Sequence, residues 1–240
     1  MSSKKHKPSR VDRHYFAETR DYGKVVDAES AFFRGLIAAR NNIPSNPSLQ
    51  KALSDVTGFL QDGGRPLDVL VEFSVADPHT KAEHTIMLGT LLKPPQHNSH
   101  AEATHFLCLA DADSLLAKYH ADFDFHPEAT EKKPSPHVQI GGRVSDSLLK
   151  RYPKIWWNKD VNKPRLPALP ICTALLWHWA FLEYQGDALM SEFLKNPWWN
   201  KLIKDAEGAV LSPFFEDGSR LMKYDPQKGL FNALYVPTPM

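Results

Sequence analysis

Cysteine is scarce, at two of 240 residues, which excludes a disulfide-stapled scaffold and a four-thiolate zinc site. Cys108 falls in an apolar strand-like run and Cys172 in an apolar helix-like run, so both are expected as buried thiols in a reducing compartment. Long hydrophobic runs are missing too. No segment approaches a membrane span, and the basic N-terminus lacks the apolar stretch of a secretion signal. The expected location is the cytoplasm, with no membrane partner. An excess of charge of either sign is also lacking, since 29 Lys and Arg face 28 Asp and Glu for a net +1. Binding of nucleic acid would therefore need a local basic patch. Gly-x-Ser-x-Gly, Cys-x-x-Cys and His-Glu-x-x-His are absent, which removes support for serine hydrolase, zinc ribbon and zincin chemistry. There is no internal repeat, heptad or low-complexity tract.

What remains is the composition of a soluble globular protein, 42% hydrophobic and 24% charged, with 19 prolines that predict many irregular connections. Residues 1–20 read as a flexible basic tail beginning Lys4-Lys5-His6-Lys7, and residues 21–240 as a single domain. Apolar residues at helical spacing predict a helix over 25–41 and a second from a cap at Asn46 or Ser48 to Gly63-Gly64. The pattern then changes to short β-type runs at 67–76, 83–92, 103–110, 119–127 and 136–142. Short connections favour antiparallel pairing, so residues 67–143 predict a sheet of about five strands. From 145 onward, short helices, irregular chain at 155–158 and 162–170, and an apolar helix at 172–184 form a C-terminal helical part. That last helix is apolar on most sides and is expected to be buried. Helices follow at about 188–195 and 198–210, then a tail with turn signals at Asp217-Gly218 and Lys228-Gly229. The expected fold class is α+β, an antiparallel sheet flanked by N-terminal and C-terminal helices.

Histidine carries the chemical interest, because eight of the eleven lie between His79 and His137. In Tyr119-His120-Ala121-Asp122-Phe123-Asp124-Phe125-His126-Pro127, alternation puts His120, Asp122, Asp124 and His126 on one strand face. In Pro136-His137-Val138-Gln139-Ile140-Gly141-Gly142, His137 and Gln139 share one as well. If the two segments pair through the loop at 128–135, three imidazoles, two carboxylates and an amide come together. Two chemistries fit that set. Asp122, Asp124 and His126 offer mixed N and O ligands to a divalent metal. Alternatively, His126 and His137 act as acid and base in cleavage of an RNA phosphodiester, with Asp122 and Asp124 orienting them and Lys132, Lys133 or Arg143 stabilising the phosphorane. The plain alternative to both is the solvated face of an antiparallel sheet. Trp156-Trp157 and Trp198-Trp199 read as buried aromatics, with an exposed stacking or partner surface as the alternative. His178 reads as a boundary histidine with a satisfied ring nitrogen.

Phe123-Asp124-Phe125, Pro136-His137-Val138-Gln139-Ile140-Gly141-Gly142 and Arg165-Leu166-Pro167, in this order, resemble a group of poorly characterised bacterial proteins. Those carry an aromatic-Asp-aromatic strand, a His-apolar-x-apolar-Gly strand and Arg-Ile-Pro before an apolar helix. The pattern is also distantly similar to TumE-type toxins of toxin–antitoxin pairs. Ser135-Pro136 stands where a second histidine often precedes the His-apolar strand in that group. The resemblance, over about residues 67–185, implies a small prokaryotic toxin–antitoxin or anti-phage protein with an α+β core, its partners being RNA and an antitoxin or complex subunit. The other expectation is a non-catalytic protein–protein interaction module or structural subunit.

Overall fold

The computed structural model describes residues 19–62, 65–77, 80–94, 102–124, 137–160, 165–167, 169 and 171–221; for 19–24, 122–124, 137, 165–167 and 213–221 it describes the backbone alone. The architecture is α+β, as expected. Helices α1 (Thr19–Ala39), α2 (Pro47–Asp55) and α3 (Thr57–Gln61) precede strands β1 (Leu67–Ala76), β2 (Glu83–Lys93), β3 (Glu102–Asp111), β4 (Ser114–Asp124) and β5 (His137–Ile140). Helix α4 (Asp146–Arg151), strands β6 (Lys154–Ile155) and β7 (Arg165–Pro167), and helices α5 (Thr173–Glu183), α6 (Ala188–Lys195) and α7 (Pro197–Leu221) follow.

The sheet runs β1-β2-β3-β4-β5-β7 with antiparallel neighbours, and β6 pairs parallel with β4. It therefore has two short strands more than the pattern predicted, both inside stretches read as irregular. Helix α7 likewise runs through the turn signal at Asp217-Gly218. The second predicted helix divides at Val56, where α2 ends and α3 begins.

One sheet face carries the main core. Leu67, Val69, Val71, Phe73 and Val75 of β1, Ile86, Leu88 and Leu92 of β2, and Ala103 and Leu107 of β3 alternate inward under the helices. Above them Phe73, Phe181, Phe193 and Trp199 stack in tilted and edge-to-face pairs 4.9–6.1 Å apart, geometries that the ring quadrupoles favour.

The edge strand β1 is closed by side chains from α2. The Glu72 N–H donates to Ser48 Oγ at 2.9 Å, and Asn46 Nδ2 donates to the Glu72 carbonyl at 3.3 Å. Asn46 Oδ1 also caps α2 by accepting from the Leu49 N–H at 2.8 Å. An exposed row of unpaired backbone groups is thereby avoided on this edge.

The opposite face bears a smaller cluster of Met87, Cys108, Ala110, Leu115, Leu148 and Tyr152, with Phe106, Val144, Ile155 and Trp157 against it. This cap is residues 144–157 folded back over β2, β3 and β4. Two glycines make room for aromatic rings here. A Cβ on Gly89 would lie 2.0 Å from the Phe106 ring, and one on Gly141, whose φ is +80°, would lie 2.9 Å from Trp157 Cδ1.

Candidate functional site

The two segments that motivated the site are neighbours. In the β4–β5 pair Asp122 lies opposite His137 and His120 opposite Gln139, and directly opposed residues of an antiparallel pair share a face. Alternation along β4 adds Lys118 and Asp124 to that face. Pairing of β5 with β7 then sets Arg165 opposite Gln139 and Pro167 opposite His137. Two rows result: Phe106, His120, Gln139 and Arg165 in one, Thr104, Asp122, His137 and Pro167 in the next. Four of the predicted residues thus fall on one patch of sheet, and Arg165 joins them.

The patch sits at the margin of the apolar cap. His120 is 8% exposed and Gln139 4%, so for these two the expectation of a solvated sheet face is wrong. The backbone of the 141–143 loop is held from both sides. Gly141 N–H donates to the Lys118 carbonyl at 2.6 Å, Lys118 Nζ donates to the Arg143 carbonyl, and Trp157 Nε1 donates to the Gly142 carbonyl at 2.9 Å. Glycines 141 and 142, with φ of +80° and +82°, allow this sharp exit from β5. Thr104, in the row of Asp122 and His137, is only partly buried.

Arg143 is exposed and lies beyond the end of β5, outside both rows. The cations that the register brings to the face are Lys118 and Arg165. His126, Lys132 and Lys133 lie outside the described residues. For Asp122, Asp124, His137 and Arg165 the register fixes strand position and face. No group of three or more His, Cys, Asp or Glu among the described residues is arranged to hold a metal ion; the trio Asp122, Asp124 and His126 falls outside the side chains described. Both cysteines are free and buried. Burial pushes the Cys108 thiol up to about 12, against a smaller opposing pull from Lys118, and burial followed by the Glu29 carboxylate pushes up that of Cys172. Neither is a thiolate nucleophile. Comparison of the chain with protein-family models, with curated proteins and with solved structures finds no match.

The sequence reading missed a second polar constellation, under the helices. Glu29 Oε1 accepts from His105 Nε2 at 2.9 Å and from the Thr173 N–H at 2.8 Å, and Thr173 Oγ1 meets Thr90 Oγ1 at 2.6 Å. Glu29 is 0% exposed, His105 1%, Thr90 1% and Thr173 0%. Four elements, α1, β2, β3 and α5, meet there. Because the helices close it off completely, it is a structural clasp. One signal was legible: Glu29 sits within the buried stripe of Val25, Ala28, Phe32, Phe33 and Leu36.

The aromatic expectations divide. Trp199 is fully buried and donates Nε1–H to His178 Nδ1 at 3.2 Å, giving that histidine its partner, while Trp156 and Trp198 are exposed. Burial, countered in part by Glu207, holds the His178 pKa below its ordinary value. Helix α5 is buried along Ala174, Leu176, Trp177, Ala180 and Phe181, as expected of a mostly apolar helix, while Trp179 and Leu182 are exposed at 41% and 43%. Helix α5 lies over β2 and β3, and its Trp179 meets Tyr119 of β4 edge-on at 6.4 Å.

Proposed function

We propose that this chain is a cytoplasmic RNA-cleaving protein of a prokaryotic toxin–antitoxin or anti-phage system, acting through the face shared by β4, β5 and β7. The observation that carries the reading is the placement of Asp122 opposite His137, with Arg165 one row away on the neighbouring strand. Three segments separated along the chain supply a carboxylate, an imidazole and a guanidinium to one patch. An aspartate beside a histidine favours the imidazolium and orients the ring, which suits the histidine to proton transfer near neutral pH. In this reading His137 takes the proton of a ribose 2′-hydroxyl as its oxygen bonds to phosphorus. The bond from phosphorus to the 5′-oxygen breaks, and His126 supplies the proton that the leaving oxygen acquires. In this reading Arg165, one row away, is the cation that stabilises the charge building on the phosphorane. The products are a 2′,3′-cyclic phosphate and a 5′-hydroxyl.

The prokaryotic setting rests on the resemblance of the three motifs. The chemistry is tested with RNA carrying a single 2′-deoxy position at the cleaved site: purified protein cuts the all-ribose strand and spares the substituted one. Cleavage of both would overturn the 2′-hydroxyl mechanism and turn attention to the metal chemistry of Asp122, Asp124 and His126.

A second reading has its own support on the opposite sheet face. Exposed Trp179 meets Tyr119 edge-on and exposed Ile140 lies directly opposite Tyr119 in the β4–β5 register, while Leu182 is exposed one turn along α5 from Trp179. Exposed apolar surface of this kind suits a protein partner such as an antitoxin. Loss of partner binding in Trp179→Ala with cleavage unchanged would assign the two faces to two functions.

A further inference from the structure

The chain as a whole is nearly charge-balanced, but residues 143–160 hold five Lys and Arg against two Asp. That segment is the cap beside the candidate site, and it carries the most exposed tryptophan of the described residues, Trp156, at 74%. An indole exposed to this degree presents its flat face to water, as a stacking platform does. It is also firmly mounted. The Trp156 N–H donates to the Leu115 carbonyl at 3.1 Å, and the next residue, Trp157, anchors inward on Gly142. Of the cations in this segment, Arg151 is paired with Glu72 and Lys154 with Asp113, whereas Arg143, Lys150 and Lys159 are exposed and form no ion pair among the described residues.

We infer that Trp156, in a segment that also carries the exposed Arg143, Lys150 and Lys159, is a subsite for single-stranded RNA: the indole stacks on an unpaired base and the cations follow the phosphates. A flat aromatic face among mobile cations recognises any unpaired base, while a duplex keeps its bases stacked on one another. The inference deepens the RNA-cleaving reading and rests on it for the choice of RNA. The loop that seats Trp157, the neighbour of Trp156, is the direct continuation of β5, the strand that carries His137.

The test separates binding from cleavage by using a fluorescein-labelled 2′-O-methyl RNA strand, which lacks the nucleophile, and its duplex. Wild-type protein is expected to bind the single strand more tightly than the duplex in low salt. Trp156→Ala weakens that binding about 5- to 150-fold, the effect of losing one stacked base. Trp156→Phe, which keeps a ring, stays within a few-fold of wild type, and Arg143→Ala lowers the salt dependence of binding. Normal binding without cleavage of ordinary RNA by wild-type protein would sink the catalytic reading and leave the subsite standing. Wild-type protein that ignores the single strand, prefers the duplex, or tolerates Trp156→Ala would overturn the subsite. So would a protein partner held through Trp156 by a chain that binds no RNA.

Discussion

Replacing Glu29 by alanine is the sharpest test of the buried clasp. The carboxylate accepts hydrogen bonds from the Thr173 N–H and the His105 ring at 2.8 and 2.9 Å, with no exposure to water. Alanine strands both donors in a closed interior, at about 1–3 kcal/mol each, and deletes the packing of four heavy side-chain atoms as well. The two stranded donors and the lost packing together amount to about 3–5 kcal/mol. At about 2–4 °C per kcal/mol for a chain of this size, the midpoint falls by roughly 6–20 °C. Glu29→Gln should cost much less, because an amide oxygen still accepts from both donors, and the buried Oε2 makes no hydrogen bond to lose among the described residues. Urea denaturation followed by tryptophan fluorescence, with His105→Ala and the double variant closing a cycle, reads the coupling directly. Interacting neighbours give about 0.5–3 kcal/mol of non-additivity. A loss below about 1 kcal/mol in Glu29→Ala, or strict additivity in the cycle, would refute the clasp.

Further outcomes follow from the same geometry. Asn46→Ala removes both the cap of α2 and the bond that closes the edge of β1, and should cost about 1–2 kcal/mol in the same denaturation assay. Gly141→Ala forces a Cβ onto Trp157 at positive φ, for a loss of about 1–3 kcal/mol and a rise in the acrylamide quenching of tryptophan. The Cys108 thiol, raised from 9.0 to about 12, keeps its proton in the folded state at a pH where the unfolded chain has lost it. Its contribution is intact below pH 9 and fades as pH rises toward 12, at about 1.4 kcal/mol per pH unit; Cys108→Ala should flatten that slope in urea titrations.

The strands β1 to β4 were legible because each alternates over 10 or 11 residues, enough to declare a period of two, and the shorter β5 because His137 and Gln139 alternate with Val138 and Ile140. β6 and β7 were not, being two and three residues long. In β7 the prolines argued against a strand at all, yet Pro167 is tolerated because β7 is the edge of the sheet. The pairing of Asp122 with His137 was readable in outline from the polar loop between their segments. The addition of Arg165 was not, since only the fold brings a residue so far along the chain to that face. The clasp was hidden for the same reason: Glu29, Thr90, His105 and Thr173 each stand alone in apolar sequence. The exposure of Trp179 and Leu182 on α5 was not legible, because composition says how apolar a helix is and not how much of it finds cover.

The most direct measurement is the rate of cleavage of a labelled single-stranded RNA by purified protein, with and without chelator, beside His137→Ala and Asp122→Asn. The account predicts cleavage that is indifferent to chelator, falls about 10²- to 10⁴-fold in His137→Ala as the loss of a general base requires, and falls less in Asp122→Asn. Wild-type protein that leaves RNA intact, or His137→Ala protein that cuts as fast as wild type, would contradict it.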